Sequence, residues 1–259
     1  YAIDMMAHYA FNPVPIHAIQ KFKSDWIKPA NFVGNGPFVL ESWVPQEKLT
    51  VIPNTKYWNK DNVHLSRITF LPIEDNNTAF EKYKAGEIDC QYGVPTPRLD
   101  EVKILPDYQA APQLSTYYYI FNVKRGPLQD VRVRKALTMA LNRQELVEKV
   151  TRAGQKATRS MVPPLTGYTP AEGAGYDLEG AQNLLAEAGY PDGKDFPVMT
   201  VIYNTNDGHK LIAEYVQEAW KQNLGITIDI QNYEWKTFLD VRHQHDFDIA
   251  RSGWTGDYQ

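Results

Sequence analysis

The sequence predicts an α/β fold, on three observations. From Ser115 onward, β-rich runs alternate with amphipathic helical runs joined by short Gly-bearing turns. Up to about Leu114 the texture differs, with loops and strands broken by short helices. A 43% hydrophobic and 22% charged composition over 259 residues supports a sizeable core and excludes a disordered chain.

The first part contains a turn at Gly34-Asn35-Gly36-Pro37 followed by a hairpin, Phe38 to Val44 and Leu49 to Ile52, around Pro45-Gln46-Glu47-Lys48. A third strand is expected at Ile68 to Ile73, then a helix from Asn77 to Ala85 stopped by Gly86, and a short strand at Ile88 to Cys90. Pro95 and Pro97 open a short helical stretch to Leu105. Beyond it, Thr116 to Val123 reads as a Tyr-rich strand. Val133, Ala136, Leu137, Ala140 and Leu141 then share one face of a helix over 131–141. Asn142 and Glu145 form a capping-box pattern for the next helix, which runs to about Gly154. After a Pro- and Gly-rich loop, Asp177 or its neighbour caps a helix through Ala188. The remainder alternates: strand 198–203, helix 208–223, strand 226–230, helix 235–243, strand 247–251.

Charge and cysteine content narrow the function. Twenty-seven Lys and Arg against 31 Asp and Glu leave a net charge of −4, so no electrostatic footprint for nucleic acid exists. No run of about 18 apolar residues offers a membrane span. The single cysteine, Cys90, excludes an intramolecular disulfide and a Cys-based zinc site. Aromatic residues reach 12%, with 16 Tyr and 6 Trp, which suits either a recognition surface or a core. Tyr1 is not an initiator Met, and the chain reads as a fragment of a longer protein.

Each candidate constellation has a plain structural alternative. Gly34-Asn35-Gly36 lacks the third Gly and the following helix that a dinucleotide loop needs. His243, His245, Asp246 and Asp248 lie close in sequence, yet the end of a helix entering a loop looks the same, so no metal site is assigned. Asn76-Asn77-Thr78 fits a glycosylation sequon that is frequent by chance, and Glu74 and Asp75 are adjacent carboxylates without a facing base. No catalytic motif is present in recognisable form. The informative segment is 247–258, expected to run as a strand into a Gly-bearing turn carrying Arg251, Trp254 and Asp257. A cation, an aromatic plate and an anion at a strand's end can hold a zwitterion; an internal Arg and Asp pair beneath an exposed Trp is the alternative.

Several blocks together resemble the extracytoplasmic oligopeptide-binding proteins of ABC importers, in the cluster-C solute-binding family. They are Asn31 to Phe38, Asn54-Thr55-Lys56-Tyr57-Trp58, Thr116 to Tyr119, Asp130 to Leu137, Glu234 to Leu239 and Ala250 to Tyr258. The resemblance implies a bilobal type II flytrap fold, with 1–114 in the first lobe and 115–259 in the second. The fragment would hold one nearly complete lobe and part of the other. It implies a non-enzymatic, cofactor-free, monomeric receptor held in the periplasm or on the outer face of the cytoplasmic membrane, with or without a lipid anchor. Its partners would be an oligopeptide and the membrane permease subunits of an ABC transporter. By the same resemblance Asp257 grips the peptide α-ammonium, and Arg251 and His209 meet C-terminal carboxylates. Trp235 and Trp254 wall side-chain pockets, and Tyr118 lies where the peptide backbone runs. Murein peptide, heme or a metal chelate are alternative cargoes, and a peptidase is the alternative from another class. Relatives from enteric bacteria carry a disulfide at the positions of Ser115 and Thr255, here both hydroxyl residues. Ile120 replaces an acidic residue, and Thr151 stands where a carboxylate-binding Lys can occur, with Arg152 adjacent.

Overall fold

Gln46 takes a left-handed backbone, φ 63°, and turns the predicted hairpin back on itself. Strand β1 (Phe38–Val44) pairs antiparallel with β2 (Lys48–Pro53), which pairs antiparallel with β3 (Ile68–Phe70). The computed structural model describes residues 6, 8–111, 113–165 and 167–256. These divide into two units, one up to Glu74 and one from Asp75 onward. In the first unit β3 is shorter than the expected Ile68 to Ile73, because the Ile73 amide turns back to the Leu71 carbonyl and leaves the ladder. Ahead of the sheet, α1 (Ile16–Phe22) buries only Ala18. The Gly-Asn-Gly turn is structural: the buried Asn54 side chain donates to the carbonyls of Gly34 (3.2 Å) and Gly36 (2.9 Å) and accepts from the Lys56 amide.

The second unit begins at α2 (Asn76–Lys84), capped by Asp75, whose Oδ1 accepts from the Thr78 amide and hydroxyl, both at 2.7 Å. Gly86, at φ 74°, ends it. The strand expected at Ile88 to Cys90 is absent; those residues have no ladder partner among the described residues, and a strand exists only through its neighbour. After α3 (Leu99–Lys103) comes a four-stranded sheet: β4 (Ser115–Phe121), β5 (Met199–Asn204), β6 (Ile228–Tyr233) and β7 (Ile249–Thr255), ordered β4-β7-β5-β6. β5 runs parallel to both β6 and β7, whereas β4 is antiparallel to β7.

Helices cover both faces of this sheet. On one, α4 (Val131–Met139), α6 (Leu178–Glu187) and α7 (Asp207–Leu224) bury Leu137, Leu185, Val216 and Trp220 against Val201, Ile228 and Ile249. Trp220 meets its polar requirement by donating Nε1 to the Leu137 carbonyl, 2.8 Å. On the other face, α8 (Trp235–His243) packs Phe238 with Ile202, Phe247 and Ala250. α7 ends at Gly225, φ 68°, where any Cβ would lie 2.2 Å from the Asp192 carbonyl oxygen, so only glycine fits.

The helix after Asn142 is one turn, α5 (Arg143–Glu145), running into a π-helical turn over Leu146–Thr151. Only half of the expected capping box forms. Asn142 accepts from the Glu145 amide (3.1 Å), but the Glu145 carboxylate is drawn to Lys149 (2.8 Å) and the Tyr215 hydroxyl (3.3 Å). The acidic residues after α8 are likewise committed: Asp246 accepts from Arg125 (2.7 Å), and Asp248 accepts from the Thr200 amide (3.0 Å). Among the described residues, no helix is long and apolar enough to cross a membrane.

Candidate functional site at the carboxyl edge of the parallel strands

In α/β sheets, ligands bind beyond the carboxyl ends of parallel strands, where loops and helix N-termini expose side chains. That edge here is made by the last residues of β5, β6 and β7, the first turns of α7 and α8, and the start of the antiparallel β4. Arg251 and Trp254 lie on the last five residues of β7, His209 in the first turn of α7, and Trp235 is the first residue of α8. Tyr118 sits midway along β4, opposite Ser252. Asp257 lies outside the described residues.

The expected Gly-bearing turn under Arg251 and Trp254 is not there. β7 continues to Thr255, because its ladder with β4 pairs every residue from Ile249 to Thr255 without a bulge. Strand periodicity therefore sends Arg251 and Trp254 to opposite faces of the sheet. Trp254 shares its face with Tyr118, Ser252 and Ala250, the face covered by α8, whose leading Trp235 stacks toward Phe238 at 6.1 Å. Trp254 and Trp235 keep 63% and 51% of their surface exposed, enough to offer aromatic contact to another molecule.

Arg251 occupies the α7 face with Tyr119, its register partner, and Tyr117. Its guanidinium lies 5.0 Å from the Tyr117 ring centre and donates Nη1 to Asn204 Oδ1 at the end of β5, 3.1 Å. Among the described residues no carboxylate pairs with it, and its buried Nε has no hydrogen-bond partner. His209 completes the group, with Nδ1 3.5 Å from the Tyr117 hydroxyl. Its amide, with that of Gly208, is capped by Asn206 Oδ1. Burial, and then the positive charge of Arg251, push the His209 pKa down to about 4, so the imidazole is neutral near pH 7. Although part of Tyr117 meets solvent, desolvation of its hydroxyl pushes that group up to about 12. Burial also raises Tyr119, whose hydroxyl has no partner.

The six sequence candidates thus fall into two sets: Arg251 with His209 on one face, Trp254, Tyr118 and Trp235 on the other, with Asp257 undescribed. Tyr117, Tyr119 and Asn204 were not among them. Strand alternation selects Tyr117 and Tyr119 once Arg251 is known to pair with Tyr119, information that only the register supplies. Ser115 and Thr255 lie directly opposite each other, and their hydroxyls meet at 3.4 Å, so this pair joins β4 to β7 at the edge of the site.

The chain is 39% identical to the periplasmic murein peptide-binding protein MppA of Escherichia coli, over 99% of this chain and 49% of that protein. It is 39% identical to the periplasmic oligopeptide-binding protein OppA of Salmonella typhimurium, over 100% of this chain and 49% of the other. The crystal structure of a periplasmic oligopeptide-binding protein (OppAIV) from Borrelia burgdorferi superposes with a TM-score of 0.94 at 40% identity, covering 100% of this chain and 52% of that one. The expected fold class is borne out by this match. The chain spans about half the length of the curated relatives it matches. The model for bacterial extracellular solute-binding proteins, family 5 (Middle) matches residues 1–259, and the chain belongs to that family.

Proposed function

We propose that this chain is part of a peptide-binding receptor, located outside the cytoplasmic membrane, that delivers oligopeptides to the permease subunits of an ABC transporter. The observation that carries the reading is the family match along all 259 residues, with relatives of 39% identity named for peptide binding. The site chemistry supports it. Arg251 is a cation without an acidic partner among the described residues, and two exposed Trp side chains stand on the same sheet edge.

In this reading Asp257 holds the peptide α-ammonium, a charge-assisted bond contributing roughly 1.5 to 3 kcal/mol. Arg251 and His209 receive the C-terminal carboxylate, Trp254 and Trp235 wall side-chain pockets, and Tyr118 faces the extended backbone. Main-chain bonds then supply affinity while roomy pockets tolerate varied side chains. The lobes divide between residues 114 and 115 and close on the peptide as a hinge equilibrium. The receptor acts as a monomer, takes no cofactor and leaves its ligand intact.

A murein peptide is a second reading, because the murein peptide-binding relative and the oligopeptide-binding one are equally similar to this chain. Calorimetry on the full-length protein tests both, with tetra-alanine and a murein tripeptide as ligands. Tetra-alanine binding, weakened at least about tenfold by Asp257→Ala with unchanged circular dichroism, supports the first reading. Binding of the murein tripeptide alone supports the second. Binding of neither overturns the peptide reading, and cleavage products after long incubation would overturn its non-enzymatic part.

A further inference from the structure

We propose that when a peptide's free C-terminal carboxylate occupies the Arg251–His209 subsite, His209 takes up one proton, so that free-acid peptides bind more tightly as the medium acidifies. The inference rests on the peptide reading above and deepens it.

The geometry gathers donors that suit an anion. Arg251 donates Nη1 to Asn204 and lies over the Tyr117 ring, its Nε is buried without a partner, and the Tyr119 hydroxyl beside it is also buried without a partner. Buried donors left unpaired are rare and costly, which points to a ligand that accepts from them. The imidazole stands at the N-terminus of an 18-residue helix, whose dipole favours negative charge at the same place.

The surrounding charges fix the sign. Facing His209 are Arg251 from β7 and Tyr117 from β4, with Tyr119 and Tyr203 behind them. Tyr117 and Tyr119 titrate far above neutral, so only Arg251 acts as a charge there. On its own helix, Asp207 accepts from Asn77 (3.1 Å), and Lys210 faces Glu214 at 3.8 Å. With burial and Arg251 opposing protonation, the empty site keeps His209 neutral down to about pH 4. A carboxylate placed against Arg251 cancels that repulsion and accepts from a protonated imidazole. The pKa then returns toward the ordinary value of about 6.5. Because the occupied site binds the proton more tightly than the empty one, linkage makes affinity rise as pH falls. Full recovery to that value corresponds to about tenfold tighter binding at pH 5.5 than at pH 7.5, and close to one proton taken up per peptide at pH 5.5.

The test is calorimetry of the full-length protein at pH 5.5 in two buffers of different ionisation enthalpy. The ligands are tri-, tetra- and penta-alanine, each as the free acid and as the C-terminal amide. At this pH the peptide ammonium and carboxylate stay ionised, so they contribute no proton. The expected result is uptake of about one proton with at least one free-acid peptide, none with its amide, and none in His209→Gln, whose affinity becomes independent of pH. Free-acid binding without uptake, or uptake that persists with the amide or in His209→Gln, overturns the proposal while leaving the peptide reading intact. Absence of binding by every peptide overturns the reading on which it rests.

Discussion

The two units of this chain each contain a β-sheet with apolar alternation, and they end with very different interiors. In the second, both faces of the sheet are covered by helices, and Trp220, Phe238, Leu137, Leu185, Ile228 and Ile249 are fully buried. In the first, Ala18 is the buried apolar residue among the described ones, and the face carrying Leu40, Trp43, Leu49, Val51, Ile68 and Phe70 leaves Trp43 46% and Phe70 55% exposed. Alternation makes a strand amphipathic, but only an opposing layer turns the apolar side into a core. Among the described residues the second sheet has that layer on each face, which is why it can hold site residues at fixed positions.

The largest effect expected from this contrast is at Trp220. Trp220→Ala leaves a large cavity and an unpaired Leu137 carbonyl, and costs about 3 to 5 kcal/mol. Trp43→Ala, in the first unit, costs under about 1 kcal/mol. Denaturant unfolding of both variants measures the difference; equal losses would break the comparison.

The next effect is pH-dependent. His209 has a folded pKa near 4 against about 6.5 unfolded, so the unfolded chain binds more protons between these values. Its contribution is fully present above pH 6.5 and is lost as pH falls toward 4, by up to about 3 kcal/mol. Unfolding at pH 7.5 and pH 4.5 of the wild type and of His209→Gln isolates it, and an identical pH slope in the two would remove it.

Asn54 sharpens the comparison from the other side, since it shows how the first unit is held. Asn54→Ala strands the Gly34 and Gly36 carbonyls and costs about 1 to 3 kcal/mol, the one large polar effect expected there. A smaller polar effect is expected for Asn142→Ala, which loses the cap on the Glu145 amide at about 1 kcal/mol. Thermal melts rank the two.

How much of this was legible in the sequence follows the same division. The helix expected over 235–243 has those bounds, and the helix expected over 208–223 lies at 207–224, because capping residues, Gly225 and helical periodicity are local properties. Local sequence suggests a strand at Ile88 to Cys90 and a longer β3, neither of which forms, because a strand depends on a partner that local sequence does not specify. The π-helical turn at Leu146–Thr151 has no local pattern that separates it from α-helix. At the site, residue types in the 247–258 segment pointed to Arg251 and Trp254, but their separation onto two faces needed the β4 register. Tyr117 and Tyr119 stayed hidden for that reason, since three consecutive tyrosines look alike until the partner strand assigns them faces.

The proposal most open to direct test is that a peptide binds by its carboxylate at Arg251 or His209 and by its ammonium at Asp257. A crystal structure of the full-length protein with tetra-alanine tests it most directly. The account predicts the peptide carboxylate within hydrogen-bond distance of Arg251 or His209, its ammonium on Asp257, and Trp254 or Trp235 against a side chain. A peptide bound away from this edge, or one with its carboxylate in solvent and Arg251 still unpartnered, would contradict it.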